Sequence, residues 1–202
     1  MVVSGPLSGK VLCLDVDGVV VTGRPDTGER WDSRLDADLG LAPTTLQERF
    51  FAPHWADIVR GRADIRPVLE AALRGTPVRA SDLLDYWHAQ DSGLDLAVLD
   101  DVARLRAAGW QVWLATNQDA LRMGFLMDRL GLGTHVDGVF CSAKIGAAKP
   151  EPAFFMAIET ELQQPPEALT LVDDSPANTA AARARGWHGV DWPSGAPLSA
   201  LL

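Results

Sequence analysis

Val11-Leu12-Cys13-Leu14-Asp15-Val16-Asp17-Gly18 is a short apolar run that stops abruptly at two acidic residues and a glycine. An unbroken apolar run of this length fits a strand covered on both faces, the usual condition in a parallel sheet. In a doubly wound sheet, ligands bind beyond the carboxyl ends of the strands. Asp15 and Asp17 therefore stand where a ligand is expected.

Downstream, strand-like and helix-like signals alternate. Val98, Val102 and Leu105 fall at i, i+4 and i+7 and predict a helix ending near Gly109. Gln111-Val112-Trp113-Leu114-Ala115 predicts a strand, and Leu121, Phe125, Leu126 and Leu130 predict a helix stopped by Gly131. Gly138-Val139-Phe140-Cys141 reads as the next strand. Pro152 suits the first turn of a helix carrying Phe155, Ile158 and Leu162 on one face. Leu169-Thr170-Leu171-Val172 predicts a strand ending at Asp173-Asp174. Ser175 and Pro176 then offer an N-cap and first-turn proline, Gly186 closes that helix, and Trp187 to Val190 predicts a last short strand. This rhythm is that of a doubly wound, Rossmann-like α/β core with a mainly parallel sheet.

The segment from Thr22 to Gly93 breaks the rhythm. It carries no convincing strand but several helical patches, at Leu46 to Phe51, Val68 to Leu73 and Ser81 to Trp87. Arg24-Pro25-Asp26-Thr27-Gly28 reads as a loop where it begins. The expected organisation is a core of residues 1–21 and 94–202, with residues 22–93 a small helical cap inserted after the first strand.

Composition sets the outer limits. The chain has 202 residues, enough for one domain with a smaller insertion, and a 47% hydrophobic fraction supports a sizeable core. A net charge of -9 argues against nucleic acid or an anionic membrane surface as partner, because polyanion binding needs clustered Lys and Arg. No apolar run reaches membrane-span length, and Met1 to Lys10 lacks the apolar stretch of a signal peptide. Cys13 and Cys141 have no metal-ligand spacing and read as free buried thiols. These features together predict a cytoplasmic protein.

The predicted strand ends share one address. Thr116 and Asn117 follow the second strand, Lys149 lies in the loop after the Val139-Phe140 strand, and Asp173 and Asp174 close a later one. Four carboxylates, a hydroxyl, an amide and one ammonium would thus converge on a single crevice. Carboxylates packed so closely ask for a cation, and oxygen-only ligands point to a hard ion, with Mg²⁺ favoured beside a phosphate. The lysine, hydroxyl and backbone N–H groups suit phosphoryl oxygens, and an Asp can serve as covalent nucleophile.

Asp15-Val16-Asp17-Gly18-Val19-Val20, Ala115-Thr116-Asn117, Lys149-Pro150 and Val172-Asp173-Asp174-Ser175-Pro176 resemble the four ordered motifs of the haloacid dehalogenase (HAD) superfamily. The run Phe140 to Pro150 and the run Asn178 to Trp187 also resemble its small capped phosphatase branch. The resemblance implies that Asp15 attacks phosphorus and passes through an aspartyl-phosphate. It implies that Asp17 protonates the leaving group and later activates water, while its backbone carbonyl helps hold Mg²⁺. Thr116 and the amide of Asn117 would bind phosphate, and Lys149 would neutralise phosphate and nucleophile. Asp174 would be the direct metal ligand of the last pair, with Asp173 acting through water or orienting Lys149. An Asp at position 17 favours hydrolysis of a small phosphomonoester, such as a sugar phosphate, over carbon–halogen cleavage, which needs no acid for the leaving halide. A phosphotransferase or phosphomutase with the same nucleophile, and a non-catalytic binding module of the same fold, stand as alternatives.

Within the insertion, His54 and His88 beside Trp55 and Trp87, and Trp31, are the candidates for substrate contact. Arg60, Arg62 and Arg66 read as a solvated helix face, and Met123 and Met127 as core filler.

Overall fold

Every residue from Val11 to Leu14 is buried, with alternate side chains entering two different apolar clusters. The computed structural model describes residues 10–193, 195 and 197–200. The expected absence of a leader peptide falls, for residues 1–9, outside the described residues.

Strand β1 (Val11–Leu14) leads into a segment with helices α1 (Leu35–Leu39), α2 (Pro43–Leu46), α3 (Ala52–Ile58), α4 (Ile65–Ala72) and α5 (Ala80–Gln90). The chain then runs through α6 (Leu96–Ala107), β2 (Gln111–Thr116), α7 (Ala120–Gly124) and β3 (Gly138–Cys141). It continues with α8 (Ser142–Ile145), α9 (Pro152–Leu162), β4 (Leu169–Asp173), α10 (Pro176–Ala184) and β5 (His188–Asp191). The five strands form one parallel sheet in the order β3-β2-β1-β4-β5. Connections leave the central β1 first toward β2 and later toward β4, so the switch point of the sheet lies between β1 and β4. Leu14 is in register with Leu114 on one side and Val172 on the other. This alignment brings Asp15 and Asp173 level at that switch point.

Both faces of the sheet are covered, which accounts for the unbroken apolar runs. Leu12, Leu14, Val112 and Leu114 pack against Val98 and Val102 of α6 on one face. Val11, Cys13 and Leu171 pack against Phe154, Phe155 and Ile158 of α9 on the other. Both cysteines are buried and unpaired, and burial pushes the Cys13 thiol up to about 12. No helix among the described residues is long and apolar enough to cross a membrane.

Three local expectations are adjusted. The last strand is His188–Asp191, because Trp187 turns inward to meet the Phe155 ring at 5.4 Å. The predicted helix from Leu121 to Leu130 is α7 followed by a π-helical turn over Phe125–Arg129, started by an Asp119 cap that accepts from the Leu121 and Arg122 N–H groups. Ser175 occupies the N-cap position of α10, but its hydroxyl caps nothing; its own N–H donates to Asp173 Oδ1 at 2.9 Å. That carboxylate therefore fixes the turn into α10 without capping the helix.

The inserted segment has an apolar cluster of its own, built on Trp31, Phe50, Ile58, Leu69, Leu83 and Trp87. Helices α2 and α3 are joined by a π-helical turn, Gln47–Phe51, just before Pro53. Proline lacks an N–H and crowds the carbonyl four residues back, so the widened turn relieves the clash. Two strands of chain form the neck: Thr22 N–H bonds the Gly93 carbonyl and Gly93 N–H the Gly23 carbonyl, both at 2.8 Å. Away from the neck the segment rests on the core through Arg60 and Glu151, 2.6 Å apart. Gly61 lies so close to the Ala143 carbonyl that a Cβ would stand 2.2 Å from it.

Candidate active site

The parallel register sets the floor of the site. Asp15 N–H bonds the Val172 carbonyl at 2.9 Å, so the first residue past β1 is tied beside the end of β4. Its Oδ1 accepts from Val16 N–H at 2.8 Å and lies 2.9 Å from Lys149 Nζ. Oδ2 of Asp15 has no protein partner among the described residues. Burial raises the Asp15 carboxyl to about 6, with Lys149 opposing the shift and Asp173 adding to it.

Lys149 is fully enclosed and also meets Asp173 Oδ2 at 2.5 Å. Burial works against its charge, but Asp15 and Asp173 outweigh it and hold the ammonium above its ordinary value. Asn117 secures the lysine's main chain: its Nδ2 donates to the Lys149 carbonyl and its Oδ1 accepts the Lys149 N–H, both at 2.8 Å. The Asn117 side chain is thus occupied on both ends. Thr116, the last residue of β2, is buried, and its hydroxyl has no partner among the described residues.

The two acidic residues after β4 differ in surroundings. Asp173 is fully buried and accepts from Lys149, from Ser175 N–H, and from Asn178 Nδ2 at 2.9 and 3.0 Å. Asp174 is exposed to the crevice; burial of its carboxyl and then the Asp173 charge raise its pKa. One oxygen each from Asp15, Asp173 and Asp174 lie within 4.8 Å of one another. Gly18 makes room for this approach: its φ is +82°, and a Cβ there would sit 2.3 Å from Asp174 Oδ2. Only glycine meets both demands without strain.

Asp17 stands on the wall, half exposed, with Gln118 Nε2 donating to its Oδ2 and Arg122 Nη2 3.9 Å from its Oδ1. Confinement in the crevice raises its carboxyl to about 7, helped by the nearby Asp91 and opposed by Arg122. Above it opens a cleft of about 590 Å³, bordered by Asp17 and Asp174 below and by Arg30, Trp31, Trp87 and Asp91 of the insertion. Trp31 and Trp87 stack at 4.9 Å.

All seven motif residues therefore gather at one end of the sheet. The insertion sorts differently. Trp31 and Trp87 border the cleft, whereas Trp55 packs inside the insertion, its ring 5.6 Å from Trp87. His88 faces away, stacked on Phe125 at 4.9 Å in a separate cavity, and His54 is exposed. Arg60 and Arg62 pair with Glu151 and Asp57, and Arg66 borders the cavity of His88. Gln118, Arg122, Asp91 and Asn178 belong to the site without having been expected there. For Asn178 a signal existed, since a polar residue one turn into α10 faces back toward the end of β4.

Residues 10–186 match the family model for haloacid dehalogenase-like hydrolases. A phosphoglycolate phosphatase from Vibrio vulnificus is 26% identical over 186 residues, covering 88% of this chain and 80% of that protein. A plasmid-borne phosphoglycolate phosphatase from Cupriavidus necator is 29% identical, covering 86% and 76%. Among solved structures, a HAD family enzyme from Bacteroides thetaiotaomicron, in complex with magnesium and inorganic phosphate, superposes with a TM-score of 0.79 at 18% identity, covering 96% and 98%. A 2-haloacid dehalogenase from Pseudomonas syringae superposes with a TM-score of 0.63 at 21% identity, covering 94% and 92%. At these identities the structural likeness speaks for a shared fold.

Proposed function

The chain belongs to the haloacid dehalogenase-like hydrolase family, and from that premise we propose that it is a Mg²⁺-dependent hydrolase of small phosphomonoesters acting through an aspartyl-phosphate on Asp15. The observation that carries this reading is the pairing of Asp15 Oδ1 with Lys149 Nζ at 2.9 Å, which leaves Oδ2 unengaged, in a cluster where one oxygen each of Asp15, Asp173 and Asp174 lie within 4.8 Å of one another.

The donor set suits magnesium, being all oxygen and crowded enough to need a cation. Asp173 is already committed to Lys149, Asn178 and Ser175, so Asp15, Asp174 and the backbone carbonyl of Asp17 are the residues that would hold the ion. Magnesium bound there supplies positive charge to the phosphoryl oxygens and relieves carboxylate repulsion. Asp15 Oδ2 then attacks phosphorus while Lys149 offsets the negative charge on both partners. Asp17 gives its proton to the departing oxygen and, in the second half, takes one from the water that cleaves the aspartyl-phosphate. A carboxyl held near neutral pH can do both. The Thr116 hydroxyl and Asn117 backbone N–H receive phosphoryl oxygens, and the Asn117 side chain keeps Lys149 in place. Residues 22–93 act as a cap that excludes water and contacts the leaving group.

The cleft favours an uncharged, hydroxyl-bearing leaving group, as in a sugar phosphate. A carboxylate such as that of phosphoglycolate asks for a cation. Among the described residues bordering the cleft the cation is Arg30, and the Asp32 carboxylate already pairs with its Nε and Nη2 at 3.0 and 2.9 Å and offsets its charge. Glu29 and Asp91 make that side of the cleft acidic.

Phosphate release from a panel of sugar phosphates, other alkyl phosphates and phosphoglycolate, with Mg²⁺ or EDTA, tests the proposal. Release should need Mg²⁺ and fall by at least about 10⁴-fold in Asp15→Asn, as for loss of a covalent nucleophile. Undiminished release in that variant would overturn the mechanism, and phosphoglycolate as the preferred ester would overturn the leaving-group assignment.

A further inference from the structure

Arg122 is a large cation with 1% of its surface exposed, set on the short helix that follows β2. Its Nη2 donates to the Asp91 carbonyl and lies 3.2 Å from the Asp91 carboxylate, and its Nη1 reaches the His88 carbonyl at 3.5 Å. Asp91 and His88 belong to the end of α5, where the insertion returns to the core, and carbonyls at a helix end need donors. That service accounts for half of the arrangement. It does not account for the same Nη2 lying 3.9 Å from Asp17 Oδ1. Nor does it account for Gln118, four residues earlier, whose Nε2 bonds Asp17 Oδ2 while its buried Oε1 is left without a partner. A buried amide with one end unsatisfied is unfavourable, so the bond it does make is the one the fold retains.

We infer that Gln118 and Arg122 are positioning residues that hold the Asp17 carboxyl toward the leaving-group oxygen, and that Arg122 makes this hold depend on the seating of the cap. The inference rests on the reading of Asp17 as proton donor. Gln118 fixes Oδ2 as an acceptor, so the transferable proton sits on Oδ1. As the bond from Asp15 to phosphorus forms and the bond from phosphorus to the leaving oxygen breaks, that proton passes to the leaving oxygen. The alcohol departs neutral and Asp17 remains as a carboxylate. If the end of α5 moves away, Arg122 loses its anchor on Asp91 and Asp17 loses one side of its cradle. Proton donation is thereby tied to a seated cap.

The test uses the full chain with Mg²⁺ and two substrates: an alkyl phosphomonoester that the native protein hydrolyses, and 2,4-dinitrophenyl phosphate, whose phenolate leaves without a proton. First-turnover release is measured for Gln118→Ala and Arg122→Gln, each alone and combined with Asp17→Asn. The alkyl rate should fall roughly 10- to 100-fold while the dinitrophenyl rate falls less than about 3-fold, the pattern of a misplaced general acid. In the Asp17→Asn background neither substitution should lower the alkyl rate further. Equal losses on both substrates, or losses that persist without Asp17, would reduce both residues to structural supports and overturn the inference. Should Arg122→Gln fail to fold, Gln118→Ala decides the hold on Asp17, and Asp91→Asn, which removes the anionic anchor of Arg122, decides its dependence on the cap by the same pattern of losses. Absence of Mg²⁺-dependent release by the native protein, or full activity in Asp15→Asn, would instead strike the reading on which the inference rests.

Discussion

The floor of the crevice and the insertion above it hold their charges in opposite ways. On the floor, Lys149 and Asp173 are wholly buried and joined at 2.5 Å, with partners 24 residues apart in sequence. In the insertion, apart from the buried Arg24, several charges pair with near neighbours in sequence and stand at the surface: Arg30 with Asp32, Arg34 with Asp38, Arg79 with Asp82. The interior of the insertion is instead aromatic, with Trp31, Phe51, Trp55 and Trp87 in mutual contact. A buried ion pair has no water to replace a lost partner, whereas a surface pair does. The floor is therefore intolerant of change, and the insertion can vary its surface freely.

The sharpest way to break this contrast is to remove Asp173. Asp173→Ala leaves Lys149 enclosed with a single anionic partner and Asn178 with none, and should cost about 3–5 kcal/mol in denaturant unfolding. A loss below about 1 kcal/mol, the range of surface pairs, would erase the distinction between the two regions.

Metal and pH probe the same floor less severely. Asp15 and Asp17 titrate in the folded chain at about 6 and about 7, above the ordinary 3.8. Raised values mean that protonation favours the folded state. That contribution is complete below 3.8 and is lost as pH rises through about 6 and then about 7. On the proposed assignment Mg²⁺ binds the ionised Asp15 carboxylate of the folded state and returns the part of the stability lost there. The rise in Tm on adding Mg²⁺ should accordingly be larger near pH 8 than near pH 5. Equal rises at both would show that the Asp15 carboxyl does not govern metal binding.

The smallest effect should come from Arg60→Ala, which removes the contact to Glu151 where the insertion rests on the core. The side chains are 20% and 40% exposed, so the pair should contribute less than about 1 kcal/mol to stability. A larger loss would show that this contact, and not the neck, holds the insertion in place.

Much of the core is legible in the sequence. Val11–Leu14 and Leu169–Val172 announce buried strands because both faces are covered, and each run ends at the acidic pair that the crevice uses. Glycine at position 18 follows from the same local logic, although its reason, the approach of Asp174, is tertiary. The division of labour between Asp173 and Asp174 was less legible. Adjacent residues of one type diverge because one side chain turns in toward Lys149 and Asn178 and the other out toward the crevice. The neighbouring Trp87 makes His88 a candidate for substrate contact, yet consecutive positions on a helix face different ways, and His88 stacks on Phe125 instead.

The sequence by itself determined the strand order of chemistry: which polar residues end which strands, and hence which of them could meet. Period and punctuation are local properties, and a parallel sheet converts them directly into a shared address. What the tertiary structure alone decided is who holds whom. Gln118 on Asp17 spans 101 positions and joins the turns after the neighbouring strands β1 and β2, whereas Arg122 on Asp91 spans 31 and depends on how the insertion seats on the core. The second contact arises from the packing of two separately built apolar clusters, and no periodicity along the chain records the angle at which they meet.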